Sequence, residues 1–193
     1  MSKTSTFRTA FRRRAEGRTN YVKRMAFVKS GKPRAVIRKS TNNMGVQFIT
    51  TLNGKDSVMA AAHTKELTQF HYAGHGGNIP AAYLTGLLAG TRMKGKAESV
   101  IVDLGVQPSI HGTRLYAAVK GIQDAGVNVM VDAVALPKDD RVHGKHVDAY
   151  AKHESSMKHT LQFSTYSGKK VNTAEFSKTV ESAKKAILEG GNK

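Results

Sequence analysis

Residues 99–134 read SVIVDLGVQPSIHGTRLYAAVKGIQDAGVNVMVDAV. The opening SVIVDLGV is an apolar run bounded by turn residues, the pattern of a strand covered on both faces. Leu115, Val119 and Ile122 then recur at helical spacing, and Gly126 supplies a stop. VNVMVDAV reads as the strand that returns after this helix. Strand, helix and strand joined by short connections make a parallel unit with a right-handed crossover, which places the chain among α/β folds.

Upstream, RAVIRKS (34–40) and GVQFITT (45–51) are β-rich runs separated by TNN, a hairpin turn, and SVMAAAHT (57–64) follows the turn signal NGKD. Thr64 can start a short helix over KELTQF, and HYAGHGGN (71–78) is a glycine-rich loop. Asn78 as cap, with Pro80 in the first turn, opens a stronger helix in which Tyr83/Leu87 and Leu84/Leu88 stand four apart. Gly86 and Gly90 each cost a helix about 1 kcal/mol, which predicts a close approach to the sheet as compensation. Before all of these, Thr19 or Asn20 can cap a helix to Ser30, with Val22, Met25 and Ala26 on one side and Gly31 as its stop. At the far end, Phe176, Val180, Ala183 and Ile187 mark one face of a terminal helix, with Asn172 and Glu175 spaced as a capping box and Gly190 as its end. The expectation is an α/β three-layer sandwich with a mixed five-stranded sheet, in an element order that resembles the ribonuclease H-like folds. Residues 1–18 form a basic arm expected to be extended, 19–147 the core domain, and 148–193 a helical C-terminal extension.

Charge is distributed unevenly over this plan. The 193 residues carry a formal +17. Residues 1–40 hold thirteen Lys/Arg against one acid, residues 41–137 seven against six, and residues 138–193 eleven against seven. A near-neutral body with a basic front suits a polyanionic partner, since self-repulsion of this size is tolerated when something neutralises it. The chain has no cysteine, which excludes disulfides and thiol chemistry. No apolar run approaches the roughly eighteen residues of a membrane span, so no membrane partner is expected. An Arg-rich, acid-poor front is also a property of transit peptides, but this one shows no amphipathic face.

The residues offer little to a catalytic reading. A metal-dependent nuclease of this topology needs a carboxylate in its first strand, and RAVIRKS has none; Asp103 and Asp132 are the only acids well placed. His63, His71 and His75 lack a third ligand at a recognisable spacing, and loop histidines bound to backbone or phosphate are the competing reading. GHGGN lacks the GK[ST] of a nucleotide-binding loop. No cofactor is called for.

The informative feature is the arm. Arg8, Arg12, Arg13, Arg14 and Arg18 form a row of planar forks suited to phosphate. Phe7, Phe11 and Tyr21 are interleaved with them and can stack on unpaired bases; a solvated tail is the alternative. Arg34, Arg38 and Lys39 lie in or beside a strand ending at the STNN turn, where small polar side chains admit an RNA backbone, or where cations protect a strand edge.

Five ordered blocks, RRRAEGRTNYVKRM (12–25), KPRAVIRKSTNNMGVQFI (32–49), GNIPAAYLTGLLAGTRM (77–93), DLGVQPSIHGTRLYAAVKGIQDAGVNV (103–129) and LPKDDRVHGKHV (136–147), resemble the 5S-rRNA-binding protein family of the large ribosomal subunit. This is the family numbered eighteen in bacteria and archaea and five in eukaryotes, and the length resembles its archaeal type. The resemblance implies a non-enzymatic role in the cytoplasmic ribosome: holding 5S rRNA and docking it to large-subunit rRNA in the central protuberance, beside neighbouring large-subunit proteins. Carried onto this sequence, it sets Arg12 to Arg18, Tyr21 and Arg24 against rRNA. It makes Lys32, Arg34, Arg38, Ser40, Asn42, Asn43 and Gln47 a strand-and-turn surface for 5S rRNA, with His71 and Tyr72 as further contacts. The family often has a tryptophan near Tyr72, and this chain has none.

Overall fold

The computed structural model describes residues 8–154, 163, 166 and 172–190. Three strands come first: β1 (Arg34–Lys39), β2 (Met44–Leu52) and β3 (Lys55–His63). β1 and β2 pair antiparallel from Arg34↔Ile49 to Lys39↔Met44. The β2–β3 turn uses Asn53 and Gly54 at φ of 51° and 75°, the two positive values that a tight hairpin compatible with strand twist requires. β4 (Ser99–Asp103) then pairs parallel with β1, and β5 (Asn128–Val129) parallel with β4. The sheet is mixed, five-stranded and ordered β3-β2-β1-β4-β5, as the sequence predicts.

The last strand is shorter than VNVMVDAV suggests. It ends at Val129, and Met130 beyond it is 95% exposed. The Asp132 carboxylate accepts the Val134 amide and opens a 3-10 turn over Ala133–Ala135, which takes the backbone out of the ladder.

One face of the sheet carries the core. Ala35 and Ile37 of β1 and Met44, Val46 and Phe48 of β2 point into it, beneath α3 (Ile79–Met93) and α4 (Arg114–Asp124). Asn78 caps α3 by accepting the Ala81 amide. Twelve of the fifteen residues of α3 are buried, so this helix is enclosed on all sides. Its glycines serve a different neighbour from the one expected. A Cβ on Gly86 would overlap the Ala118 carbonyl of α4, and one on Gly121 of α4 would overlap the Tyr83 carbonyl of α3. The close approach is helix to helix, and the lost propensity is offset by backbone contact there.

After the short helices α5 (Asp139–Val142) and α6 (Lys145–Glu154), the terminal helix α7 (Phe176–Gly190) buries Phe176, Val180, Ala183 and Ile187 in the same core. Its start is built differently from the capping box: Asn172 accepts the Ala174 amide, Glu175 pairs with Lys178, and the Ser177 amide is taken by Asp148 of α6. A true capping box stands instead at His63 and Glu66, opening the 3-10 segment Thr64–Phe70.

The opposite face of the sheet carries α2 (Tyr21–Lys29), capped by Asn20, which accepts the Lys23 amide. Phe27 is half-buried there, while the side holding Val22 and Met25 faces solvent at 81% and 56% exposure. The arm before it contains one turn of helix, α1 (Arg12–Ala15), where an extended chain is the sequence expectation. Among the described residues, no helix is long and apolar enough to cross a membrane.

Candidate nucleic-acid interface

The arm's single acid organises its cations. Glu16 accepts from Arg12 at 2.9 Å and lies 3.4 Å from Arg18, and Gly17 turns the chain at φ 66° so that the two arginines converge on it. Arg13 donates to the Thr19 hydroxyl at 2.9 Å. Arg8, Arg12, Arg13, Arg14 and Arg18 are all exposed. Phe11 and Tyr21 meet at 5.2 Å between ring centroids, tilted by 48°; Phe7 lies outside the described residues.

Below the arm, a cleft between α2 and the sheet is lined by Arg13, Arg18, Lys23, Arg24, Arg34 and Arg38, with Asp56 and Asp103 as its only acids. Asp56 accepts from Arg24 at 2.8 Å and Arg34 at 2.7 Å, and takes the Thr51 hydroxyl at 2.7 Å. Burial by itself raises the Asp56 pKa, but the Thr51 hydrogen bond and the Arg34 and Arg24 guanidinium groups hold it below its usual value. This carboxylate fastens α2 to the sheet. Asp103 takes Arg38 at 3.2 Å, has Arg34 at 3.8 Å and accepts the Gly105 amide at 2.7 Å. The one acid at the end of the central strand is therefore enclosed by two arginines and an amide. Six cations over two carboxylates leave the cleft with a surplus for an anionic ligand.

Val36 and Arg38 also line a second, open groove along the same sheet face, with Lys39, Ser40, Asn43, Gly45, Gln47, Ala61 and His63. The two depressions are one surface running from the arm to the β1–β2 turn. That turn is rigid. The Ser40 hydroxyl accepts the Asn43 amide at 3.0 Å, and the Ser40 amide donates to the Asn43 carbonyl at 2.8 Å. The Asn43 side chain accepts from Thr64. Thr41 and Asn42 are left exposed at the tip.

Sequence reasoning missed the buttress under this turn. Arg114, at the start of α4, donates to the Gly77 carbonyl at 2.7 Å and to Thr41 at 3.4 Å. A Cβ on Gly76 would stand 2.8 Å from the Asn42 carbonyl. The loop GHGGN is glycine-rich so that it can lie against the hairpin backbone. Arg114 carried no local signal, because its partners lie 37 to 74 residues away.

Three expected contacts need correction. Tyr72 is only 3% exposed, donates its hydroxyl to the α3 cap Asn78 at 2.8 Å and meets Phe176 edge-on. Burial raises its pKa well above the phenolic range. It is a core residue and stacks on no outside base. Arg34 is 5% exposed and committed to Asp56 and Asp103, and the Asn43 amide belongs to the turn. His71 is exposed at φ 61°, apart from the sheet groove; Lys32 is exposed before β1, with its amide on Ser30. His63 and His75 accept backbone amides through Nδ1, from Lys65 and Gly77.

Fold and surface together define a non-catalytic α/β domain with a continuous cationic face. A family model described as ribosomal large subunit proteins 60S L5 and 50S L18 matches residues 5–99. Large ribosomal subunit protein uL18 of Korarchaeum cryptofilum is 44% identical over 169 residues, 86% of this chain and 86% of the relative. The uL18 of Aeropyrum pernix is 43% identical over 95% of this chain and 88% of its own length. That of Methanococcus maripaludis is 38% identical over 97% and 99%. The chain belongs to the uL18 family of large-subunit ribosomal proteins, in its archaeal type. It is a structural component of the cytoplasmic ribosome and not an enzyme.

Proposed function

We propose that this protein holds 5S rRNA and docks it against large-subunit rRNA in the central protuberance, contributing to subunit assembly. The observation that carries this reading is the single surface shared through Val36 and Arg38 by the arginine cleft and the sheet groove. Arg8, Arg12, Arg13, Arg14 and Arg18, with Lys23 and Arg24 of α2, supply phosphate contacts, which position an RNA without reading its sequence. The Phe11–Tyr21 pair offers rings to unpaired bases. Arg38, Lys39, Ser40, Asn42 and Gln47 present a fixed, small-residue surface that matches RNA by shape. Its rigidity, set by the Ser40–Asn43 bonds and Arg114, lowers the ordering cost of binding.

A competition assay of the purified chain against folded 5S rRNA, tRNA and an unrelated structured RNA at physiological salt tests the assignment. A preference for 5S rRNA of tenfold, about 1.4 kcal/mol, or more is expected; equal affinity for all three sinks it. Deleting residues 1–18 is expected to weaken binding and flatten the salt dependence, by roughly 0.7 to 0.9 in logarithmic slope for each phosphate that is no longer neutralised. An unchanged slope removes the arm from the interface.

A further inference from the structure

Beyond the RNA-facing surface, the opposite end of the sheet exposes an apolar groove of different chemistry. It is lined by Val102, Leu104, His111, Tyr116, Val119, Met130, Val131, Asp132 and Ala135. Met130 is 95% exposed, Val134 73% and Ile110 57%. Two backbone segments are tied into one rim here: the Gly112 amide donates to the Ala135 carbonyl at 2.9 Å, and Ser109 and Tyr116 share a hydrogen bond of 2.5 Å. His111 lies edge-on against Tyr116. The apolar side chains are therefore presented on a held frame.

Charge decides what this groove can receive. The clefts on the arm side all contain Arg or Lys, whereas this one contains neither and has Asp132 on its rim. Residues 97–113 and 121–137 carry no Lys or Arg at all, in a chain with 31 of them, and hold Glu98, Asp103, Asp124 and Asp132. A phosphate backbone would find no counter-charge and one repelling carboxylate. An apolar patch of this kind on a soluble domain marks a protein interaction site. The sheet edge points the same way. β5 is the last strand, it pairs only with β4 on its inner side, and its outer edge continues into Met130 and Val131. Such an edge can accept an extended strand from another chain, with alternate side chains of that strand dropping into the groove.

We infer that the β5 edge and the groove around Met130 dock an extended polypeptide segment of a second protein, apolar where it fills the groove and basic where it passes Asp132. Met130 is the adaptable anchor, since an unbranched thioether fits irregular partners, and Val134 and Ile110 flank it. The site lies on surface chemistry distinct from the RNA face and does not depend on 5S rRNA being the RNA bound.

The test places a benzophenone amino acid at Met130, at Val134 in a second variant, and at Gln47 in a third, each in the full chain assembled into large ribosomal subunits. On irradiation, positions 130 and 134 are expected to link to another polypeptide, and a basic tryptic fragment of that partner should carry the adduct. Links from both positions to rRNA, to a second copy of this chain, or to nothing overturn the proposal. Gln47 reports separately on the RNA face, so that failure of one reading is distinguishable from failure of the other. In parallel, Met130→Asp with Val134→Asp should reduce retention on salt-washed subunits about tenfold, as the loss of an interface anchor does, while affinity of the free chain for 5S rRNA stays within about twofold. Unaltered retention contradicts the docking role even if the variants cross-link.

Discussion

The two faces of the sheet are built on opposite terms. On one, α3 and α4 are pressed together at Gly86 and Gly121, and α3 is buried along nearly its whole length. On the other, α1 and α2 bury no residue fully and are held by polar contacts, chief among them the two arginines on Asp56. The first face derives its stability from displaced water and close packing. The second keeps its cations exposed and ready, and relies on a few fixed ion pairs for its geometry. In this chain, order in the core and order in the interface therefore respond to different substitutions.

The largest effect is expected where the helices touch. Gly121→Val sets side-chain atoms against the Tyr83 carbonyl and the Leu87 amide, both backbone groups that cannot turn aside. Overpacking costs typically about 1–3 kcal/mol and more where backbone must move, so this variant should fall at or beyond the upper end in urea unfolding. A midpoint like that of the parent would mean that α3 and α4 are farther apart than described.

Next is the fastening of the RNA side. Asp56→Asn leaves the buried Arg34 with only the 3.8 Å approach to Asp103 and frees Arg24. The expected loss is about 1–3 kcal/mol, the cost of stranding a buried charged donor. Because the folded-state pKa of Asp56 is depressed, its contribution is present above the unfolded value of 3.8 and lost as pH falls through the lower folded value. The stability gap between parent and variant should be constant above about pH 5 and close below it. A gap that persists in acid would show that the carboxylate's charge is not what holds α2.

Tyr72→Phe separates the two faces directly. Removing the hydroxyl that donates to the α3 cap should cost about 1 kcal/mol and leave RNA affinity unaltered, since the ring stays in the core beside Phe176. Weakened RNA binding at unchanged stability would restore the interface role that the family resemblance implies.

These cases show where the fold was legible. Hairpin signals, the Asn78 cap and the i, i+4 stripes of α3, α4 and α7 are local patterns, and local patterns survive folding. The order of five strands followed from them. What the sequence withheld depends on distant partners: Arg114 under the hairpin turn, Gly86 against α4 in place of the sheet, and the Tyr72 hydroxyl on Asn78. The end of β5 at Val129 was hidden for a further reason, since an Asp132 turn competes with the ladder and a β-rich composition does not reveal the winner. Of the site, the cations were plain in the composition; which were exposed and which were committed to carboxylates was not, so Arg34 and Arg38 read alike although one is buried and the other lines the surface.

The smallest expected effect is the most instructive. Periodicity alone assigns an apolar helix side to a core, and α2 has one in Val22 and Met25. If that side were buried, Val22→Ser with Met25→Ser would cost several kcal/mol, on the order of 1.5–3 for each buried side chain. With 81% and 56% exposure, the pair should instead stay within about 0.5 kcal/mol of the parent. The helix itself should persist, because Asn20 caps it and Arg24 anchors it independently of the two substituted positions. Denaturation of the free chain decides between these, and binding to RNA adds a second reading. An unchanged free protein whose RNA affinity falls would place the exposed apolar side of α2 within the RNA interface, beside the Phe11–Tyr21 pair. An unchanged affinity would confine RNA contact to the cations and the turn, and leave Val22 and Met25 as surface residues on a helix whose function lies along its other side.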